Sequence, residues 1–585
     1  MFFSVIPALK MPFGNGFFDY KLTEGTIHKG DLILVPFRNK KIPALVAKIS
    51  TTSDFEDRVI SLSNPTKILK LPEIVVDFCL NASRESFVSP STMLNAWLRT
   101  VPKRLDPIEP HVPKKDAHKL DNQKRFTKYF STNRYMDDSG IIKLAREEQI
   151  SGRVLIISPW QKRVDYLQNK IGCSAFHSQT AAGAAWRAWT GFLSESHGVI
   201  ITSRLGAWLT SLADVVIIDE PENDDHKQDE LTPRYDARRL VEIAAELNPA
   251  LRVISVCTTP PLQDFEQTDF TDKNLDIDVV IESTAFNRHT RSYIESLTMT
   301  ATEEMEKSSL ENRPIRILHP VFGTRGRVRC ADCDWMLACE SCGSGVNADG
   351  GSAVCRRCFK KMNMPLNCPN CQGMNLSKSV IGQASLKQIC ANAFPNTDLE
   401  VLDLHEWLSK PIKPNSTIII SNLSFIGGFA EDIRKKERLV LAFRRLMSQA
   451  CVAKCRVVVQ APEQLAQECK TWLTGSGLEK AWASEWNERN IFGYPPAKKL
   501  IKLIVPGDLD NAKIVQDKFT ELQALSDNFT FQGPFPIEFR PKSREPRLVF
   551  HIFPKAGLSR DDIIDNLAIF TAFGILDIDP IAFFC

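Results

Sequence analysis

Between Cys330 and Cys371 the chain places eight cysteines as four C-x-x-C pairs, separated by five, twelve and nine residues. A C-x-x-C turn brings two thiolates onto one knuckle, where backbone amides stabilise them, and two knuckles complete a tetrahedral four-sulfur site. Eight ligands in four pairs therefore predict two structural zinc ions, closed to substrate because no coordination position is left for water. Redox C-x-x-C motifs and a disulfide scaffold are the competing readings. The five-residue gap between Cys333 and Cys339 leaves little chain to turn the first two knuckles face to face. A nested arrangement is expected, with Cys330, Cys333, Cys368 and Cys371 on one zinc. Cys339, Cys342, Cys355 and Cys358 would hold the other. A cross-braced module of the RING type would place a longer loop and a histidine early in the pattern, and neither is present. The other eight of the sixteen cysteines are scattered, which suits a reduced cytosolic metalloprotein rather than an oxidised secreted one.

Around this cluster stand Arg325, Arg327, Arg329, Arg356, Arg357, Lys360 and Lys361, with Trp335 and Phe359 interleaved. Basic groups beside aromatics suit single-stranded nucleic acid; solvated charge on a small zinc module explains them equally. His177 and His226 have no second ligand at metal spacing and read as structural or surface residues.

The elements that must position these residues follow from pattern. At 585 residues the length predicts about three to five domains, and 43% hydrophobic with 24% charged residues is the composition of folded protein. Net charge is only +3, so any nucleic-acid footprint must be local. The N-terminal stretch has no basic leader and meets Pro7, and no apolar run reaches the roughly 18 residues of a membrane span, so a cytoplasmic chain with no membrane partner is expected. FFDYKL, DLILVPF and IPALVAKI, separated by turn residues, predict a small β-rich domain over 1–98. Residues 99–128 carry nine Lys/Arg against four Asp/Glu and four prolines, and read as a basic linker. Its Lys114, Lys115, Lys119, Lys124, Arg125 and Lys128 could contact phosphates or simply be solvated. From about 140, VLIIS, GVIITS, DVVIID and RVISVC are continuous β-branched runs between helical stretches, as in a parallel sheet covered on both faces. LEVLDL, STIIIS and CRVVVQA form a second such set after the cysteines, and KLIKLIV, PRLVFHIF and ILDIDPI suggest an α+β tail. The fold class is multidomain α/β, with one sheet expected on each side of the zinc insertion.

The order of these parts resembles the primosomal replication-restart family typified by PriA. RGRVRCADCDWMLACESCGSGV…CRRC…CPNC followed by IGQASLKQIC is similar to that family's zinc insertion, in which the pairs are nested. Phe18-Asp19-Tyr20, Glu24-Gly25 and Val35-Pro36-Phe37 resemble its N-terminal domain, which captures the 3′ end of a nascent strand. VIIDEPENDDHKQDELTPRYDAR resembles its DEAD-type motif II, CTTPP (257–261) stands where motif III would be, and Tyr494-Pro495-Pro496 and Leu576-Asp577-Ile578-Asp579-Pro580 resemble its C-terminal signatures. The resemblance implies two RecA-like helicase lobes, over 129–315 and 379–484, flanking a two-zinc module at 316–378, with an α+β domain over 485–585. It also implies that Asp19, between Phe18 and Tyr20, contacts the terminal nucleotide and its 3′-hydroxyl.

Four departures from that pattern matter. A helicase of this class needs G-x-x-x-x-G-K-[ST], whose amides and lysine cradle phosphates. The stretch FSTNRYMDDSGIIKLAREEQISG has Gly140 alone, with Asp137 and Asp138 where phosphates would bind. Motif VI is reduced to SQACVAKCRVVV, leaving Lys454 and Arg456, and motif V to SNLSFIGGF with Gly427-Gly428. No interval remains for a winged-helix domain. Asp219 and Glu220 survive as the metal ligand and water-activating base of motif II, or as an acidic strand-end turn. The expectation is a protein that binds branched DNA at stalled forks and helps reload the replicative helicase. Unwinding would be absent, and single-stranded-DNA-binding protein and other primosome proteins would be partners near the nucleoid. An ATP-dependent 3′-to-5′ helicase with a diverged nucleotide site, and a zinc-scaffold adaptor for protein alone, are the alternatives.

Overall fold

The computed structural model describes the chain except residues 54–57, 99–124, 131–139, 151, 230, 269, 271–273, 284–293, 295, 321–327, 331, 334, 336, 341–345, 350–351, 356–359, 379–381, 410–411, 427–432, 508, 526, 538–546 and 582–585. The N-terminal strands are β1 (Phe2–Pro7), β2 (Phe18–Glu24), β3 (Asp31–Phe37), β4 (Lys40–Ser50), β5 (Ile60–Ser63) and β6 (Lys67–Lys70), in the order β5-β2-β1-β4-β3-β6. Alternation along β1 and β3 sends Phe3, Val5, Ile33 and Val35 into one buried cluster and Ile6 and Leu32 into another.

Two helices, Ile74–Glu85 and Pro90–Trp97, follow the strands; the all-strand reading of 1–98 did not include them. Ser89 caps the second by accepting from the Thr92 amide, with proline at the first helical position. Trp97 stacks on Phe78 at 5.4 Å and on Trp208 at 6.2 Å, and Trp208 meets Trp189 edge-on at 5.1 Å. These rings join the N-terminal strands and the next unit into one core. Truncating one of them to alanine is expected to cost about 3–5 kcal/mol.

The next unit is a parallel sheet. Its strands are β7 (Phe126–Phe130), β8 (Arg153–Ile157), β9 (Ser174–Phe176), β10 (Gly198–Thr202), β11 (Val215–Asp219) and β12 (Arg252–Cys257), in the order β7-β12-β11-β8-β10-β9. All five residues of β8 and of β11 are buried, which is why both read as uninterrupted apolar runs.

A second parallel sheet combines β13 (Val279–Ser283) and β14 (Ile315–Leu318) with three later strands. The cysteine segment comes between, with β15 (Val328–Cys330), β16 (Val346–Asp349), β17 (Ser352–Cys355), β18 (Lys361–Asn363) and β19 (Leu376–Lys378). After it run β20 (Leu399–Leu402), β21 (Thr417–Ile420) and β22 (Arg456–Ala461), and the sheet order is β13-β22-β21-β14-β20. The cysteine segment therefore leaves from within the second sheet rather than lying between two sheets. IRIL and VVIES each mix charge into a run of four or five residues, too short and too polar to read as strands. The chain ends in an antiparallel sheet of β23 (Ile501–Pro506), β24 (Phe529–Ile537), β25 (Arg547–Pro554) and β26 (Ile575–Ile578), ordered β24-β25-β23-β26. The architecture is multidomain α/β with a small β-rich N-terminal part. Among the described residues no helix is long and apolar enough to cross a membrane.

Candidate functional site

In an open parallel sheet, the crevice outside the carboxyl ends of the strands forms where the strand order reverses. In the first sheet the chain runs from β8 outward to β9 and β10, then returns to β11 and proceeds the other way to β12, so the reversal lies between β8 and β11. Asp219, the last residue of β11, and Ser158, the first after β8, stand at that point.

Both are buried, and the Ser158 hydroxyl donates to Asp219 Oδ2 at 2.8 Å. Arg163, in the first turn of the helix Gln161–Ile171, donates from Nε to the same oxygen at 3.0 Å. Glu220 has a left-handed backbone, with φ +58, which turns its side chain out of the strand direction. It accepts from Asn223 Nδ2 at 2.9 Å and from Arg445, which reaches over from the helix Lys435–Val452 beside the second sheet. Arg445 also lies 3.7 Å from Glu222, and its guanidinium sits 4.8 Å over the Trp160 ring. Each acidic residue expected to serve a metal-bound nucleotide is thus matched by a guanidinium of this chain.

The residues after β11 extend the network. His226 is buried and donates from Nε2 to the Asp219 carbonyl at 2.8 Å. Burial, with Arg238 nearby, pushes its imidazole down to about 4, so it is neutral at neutral pH. Asp224 is bound by Arg434 and Arg438 at 2.8 Å each; burial opposes its ionisation, but these arginines outweigh it and hold the carboxyl below the usual range. Lys227 and Arg234 grip Asp577 of β26 at 2.9 and 2.8 Å, tying the C-terminal sheet to the same segment.

The structure separates the residues that the sequence grouped. Gly140 precedes the helix Ile141–Glu148 after β7, but Asp137 and Asp138 lie outside the described residues, as do Gly427 and Gly428. Arg456 opens β22 and pairs with Asp278 and Glu304, at the strand ends opposite the crevice. The cation that reaches Glu220 of motif II is Arg445, which the sequence reading missed. Its signal was the doublet Arg444-Arg445 within the buried stretch of a helix. His177 meets Asp165 at 3.1 Å, and among the described residues it belongs to no metal-like cluster.

Asp19 lies half-buried on β2, its two carboxylate oxygens accepting from Ser4 and Ser53 at 2.6 Å each. Tyr20 is buried and donates to the Pro36 carbonyl at 2.7 Å, Phe18 packs edge-on against Phe37 at 5.2 Å, and Phe17 is exposed. Of the linker basics, Arg125 and Lys128 are described. Arg125 donates to the Asn248 carbonyl and Lys128 pairs with Asp264 at 2.8 Å.

In the cysteine segment, the Sγ atoms of Cys330, Cys333, Cys368 and Cys371 all lie within 4.8 Å of one another. Cys330 to Cys371 is 3.5 Å and Cys333 to Cys368 is 3.6 Å. A tetrahedron with Zn–S bonds of ~2.3 Å has edges of ~3.8 Å, so the donor set fits a metal of that kind. Pairing of β15 with β19 brings the first and last pairs together. The Asn370 amide and the Trp335 backbone N–H pull the Cys333 thiol down to about 6, while, against the Gly373 amide, the neighbouring sulfurs push the Cys371 thiol up to about 12. Cys339 and Cys355 are buried together in a small core with Val346 and Ala353; Cys342 and Cys358 lie outside the described residues. So do Arg325, Arg327, Arg356, Arg357 and Phe359, and the side chain of Arg329.

No protein-family model matches the chain. It is 22% identical to the replication restart protein PriA of Thermotoga maritima over 409 residues, which cover 62% of this chain and 53% of that protein. It is 22% identical to the replication restart protein PriA of Chlamydia trachomatis, with 32% of this chain and 27% of the relative covered. The protein of the same name from Synechocystis matches at 23%, over 39% of this chain and 30% of the relative. The chain thus spans about half the length of the first of these relatives and less of the others. Distant as these matches are, they agree with one another, and the chain is a PriA-like protein, a distant homologue of the replication restart proteins.

Proposed function

We propose that this chain serves replication restart by binding branched DNA at stalled forks and helping to reload the replicative helicase, without unwinding of its own. The observation that carries the last clause is the crevice chemistry. Asp219 is held by Arg163 and Glu220 by Arg445, so a magnesium-bound nucleotide would have to displace two guanidinium groups from buried carboxylates. Breaking a buried pair of this kind costs about 3–5 kcal/mol, a demand placed on each binding event. The two parallel sheets then act as a scaffold, in the roles of degenerate RecA-like lobes. In this reading zinc is the metal of the cysteine segment, one ion on Cys330, Cys333, Cys368 and Cys371 and a second on Cys339, Cys342, Cys355 and Cys358. The N-terminal sheet takes the 3′ end through Asp19, whose half-exposed carboxylate is already oriented by two hydroxyls. Single-stranded-DNA-binding protein, other primosome proteins and the replicative helicase are the partners, in the cytoplasm at the nucleoid.

The test is a fork-binding titration with and without a 3′-hydroxyl on the leading arm, for the wild type and Asp19→Ala. Wild type is expected to prefer the hydroxylated fork and Asp19→Ala to lose that preference; equal affinities throughout would remove the 3′-end reading. Calorimetry with ATP and Mg²⁺ is expected to show no binding at micromolar nucleotide. Micromolar affinity that disappears in Asp219→Asn would restore the motor.

A further inference from the structure

The helix Gly475–Phe492 ends in a group of residues that the crevice and the cysteine cluster do not use. Gly493, with φ +70, terminates the helix in the left-handed conformation. The last residue before it, Phe492, is 68% exposed. Its ring stacks on Tyr494 with centroids 6.4 Å apart and planes 29° apart. A large ring left this open at a helix end contributes nothing to the core and presents a flat apolar face to solvent.

Cations stand beside that face. Lys498 and Lys499 are exposed; the Lys498 backbone N–H donates to the Tyr494 carbonyl at 3.2 Å, and the charge of Lys499 acts on the Asp579 carboxyl. Lys498 folds back over Gly493, with Nζ 3.3 Å from where a Cβ would sit there. Both lysines line a cavity of about 320 Å³ where the C-terminal sheet, this helix and the segment after β11 meet. Seven of the nine Lys and Arg side chains that line it are held by carboxylates of this chain, Arg489 by Glu437 and Lys227 by Asp577 among them, which leaves Lys498 and Lys499 as the exposed cations of the lining. Arg489 fixes the turn between ring and lysines. It pairs with Glu437 at 3.0 Å and donates to the Pro495 carbonyl at 2.7 Å.

An exposed ring with two exposed lysines beside it is the arrangement that holds single-stranded nucleic acid, bases on the aromatic face and phosphates on the cations. We infer that Phe492, Tyr494, Lys498 and Lys499 form a single-stranded DNA subsite, with a base on the exposed ring and backbone phosphates on the two lysines. The inference rests on the DNA-binding reading and assigns it a second place of contact, on the opposite part of the chain from Asp19. A flat exposed ring beside acceptors would suit a protein partner; the two exposed lysines favour the polyanion.

The experiment is fluorescence anisotropy of labelled dT20 with the full chain across a salt series. Phe492→Ala is expected to weaken dT20 binding by about 5- to 150-fold, the range for loss of one base–aromatic stack. Lys498→Gln with Lys499→Gln is expected to flatten the slope of log K against log salt by about 1.4, two phosphate contacts on a single strand. Both sites are exposed, so melting temperatures should stay at the wild-type value and serve as the folding control. A forked duplex with no single-stranded arm is titrated in parallel. If the wild type binds dT20 and both variants bind it equally well with unchanged slope, the subsite is wrong, and the fork reading stands on the duplex titration. If the wild type binds neither probe, the DNA reading itself falls, and this subsite with it.

Discussion

The crevice of the first sheet and the outer cysteine set gather negative charge in opposite ways. In the crevice, Asp219, Glu220 and Asp224 are neutralised by Arg163, Arg445, Arg434 and Arg438, cations built into the same chain. In the cysteine segment four sulfurs converge, and among the described residues Asp332 and Asn370 are side chains that touch them. The first site carries its counter-ions through synthesis and cannot release them. The second would need a cation from solution once its thiols ionise, since four thiolates at these distances repel one another unless protonated or metal-bound. One anionic cluster is a fixed joint; the other is conditional.

The largest effect should come from removing the external cation. Chelation, or Cys368→Ser, is expected to collapse β15–β19 while both parallel sheets persist. Structural zinc contributes on the order of 10 kcal/mol to such small modules. Metal content by atomic absorption and limited proteolysis within 328–378 check this; an unchanged digestion pattern after full metal loss would erase the contrast.

Next is Arg445→Ala, which strands Glu220 and is expected to cost about 3–5 kcal/mol in urea unfolding. Replacing both partners, as Arg445→Met with Glu220→Met, should recover most of that loss. If the double variant is as unstable as the single one, the pair is not the element that joins the two sheets.

His226 gives a smaller effect with a defined sign. Its folded-state value of about 4 lies below the ~6.5 of an unfolded histidine, so the folded state takes up fewer protons. This contribution is complete above pH ~6.5 and is lost as the pH falls toward 4, on the order of 3 kcal/mol in all. His226→Gln should be flatter over that window, and parallel pH–stability curves for the two proteins would contradict the assignment.

The smallest expected effect is the most direct conversion of one site type into the other. Millimolar Mg²⁺ should leave wild-type melting unchanged. In Arg163→Ala with Arg445→Ala the exposed acid pair should gain about 1 kcal/mol from 10 mM Mg²⁺, the linkage expected for a millimolar site. Equal Mg²⁺ response in both proteins would mean that the arginines do not fill the metal position.

Much of the scaffold was legible because burial on both faces writes itself as continuous β-branched runs, as in VLIIS and DVVIID. The outer cysteine set was legible because C-x-x-C spacing constrains geometry within a few residues of chain. β14 was not, since IRIL is too short to separate from its surroundings, and the helix Ile74–Glu85 was hidden because its apolar face matches a core that only the Trp97–Trp208 contact defines. Arg445 illustrates the limit most clearly. The missing glycines of motif VI could be read locally, but its partner Glu220 lies 225 positions away, and nothing in the sequence announces that pairing.

The pairing of β15 with β19, Val328 opposite Lys378, closes the cysteine segment at its neck. Val328 and Lys378 stand side by side, so the excursion ends where it began. The sheet beneath is completed by β14, β20 and β21 without help from the excursion. Such a unit behaves as a detachable head on a stem: it can be lengthened, exchanged or excised with only a short bridge needed across the neck. Two functions could then diverge independently along one polypeptide, the sheet retaining its fold while the head acquires new surfaces.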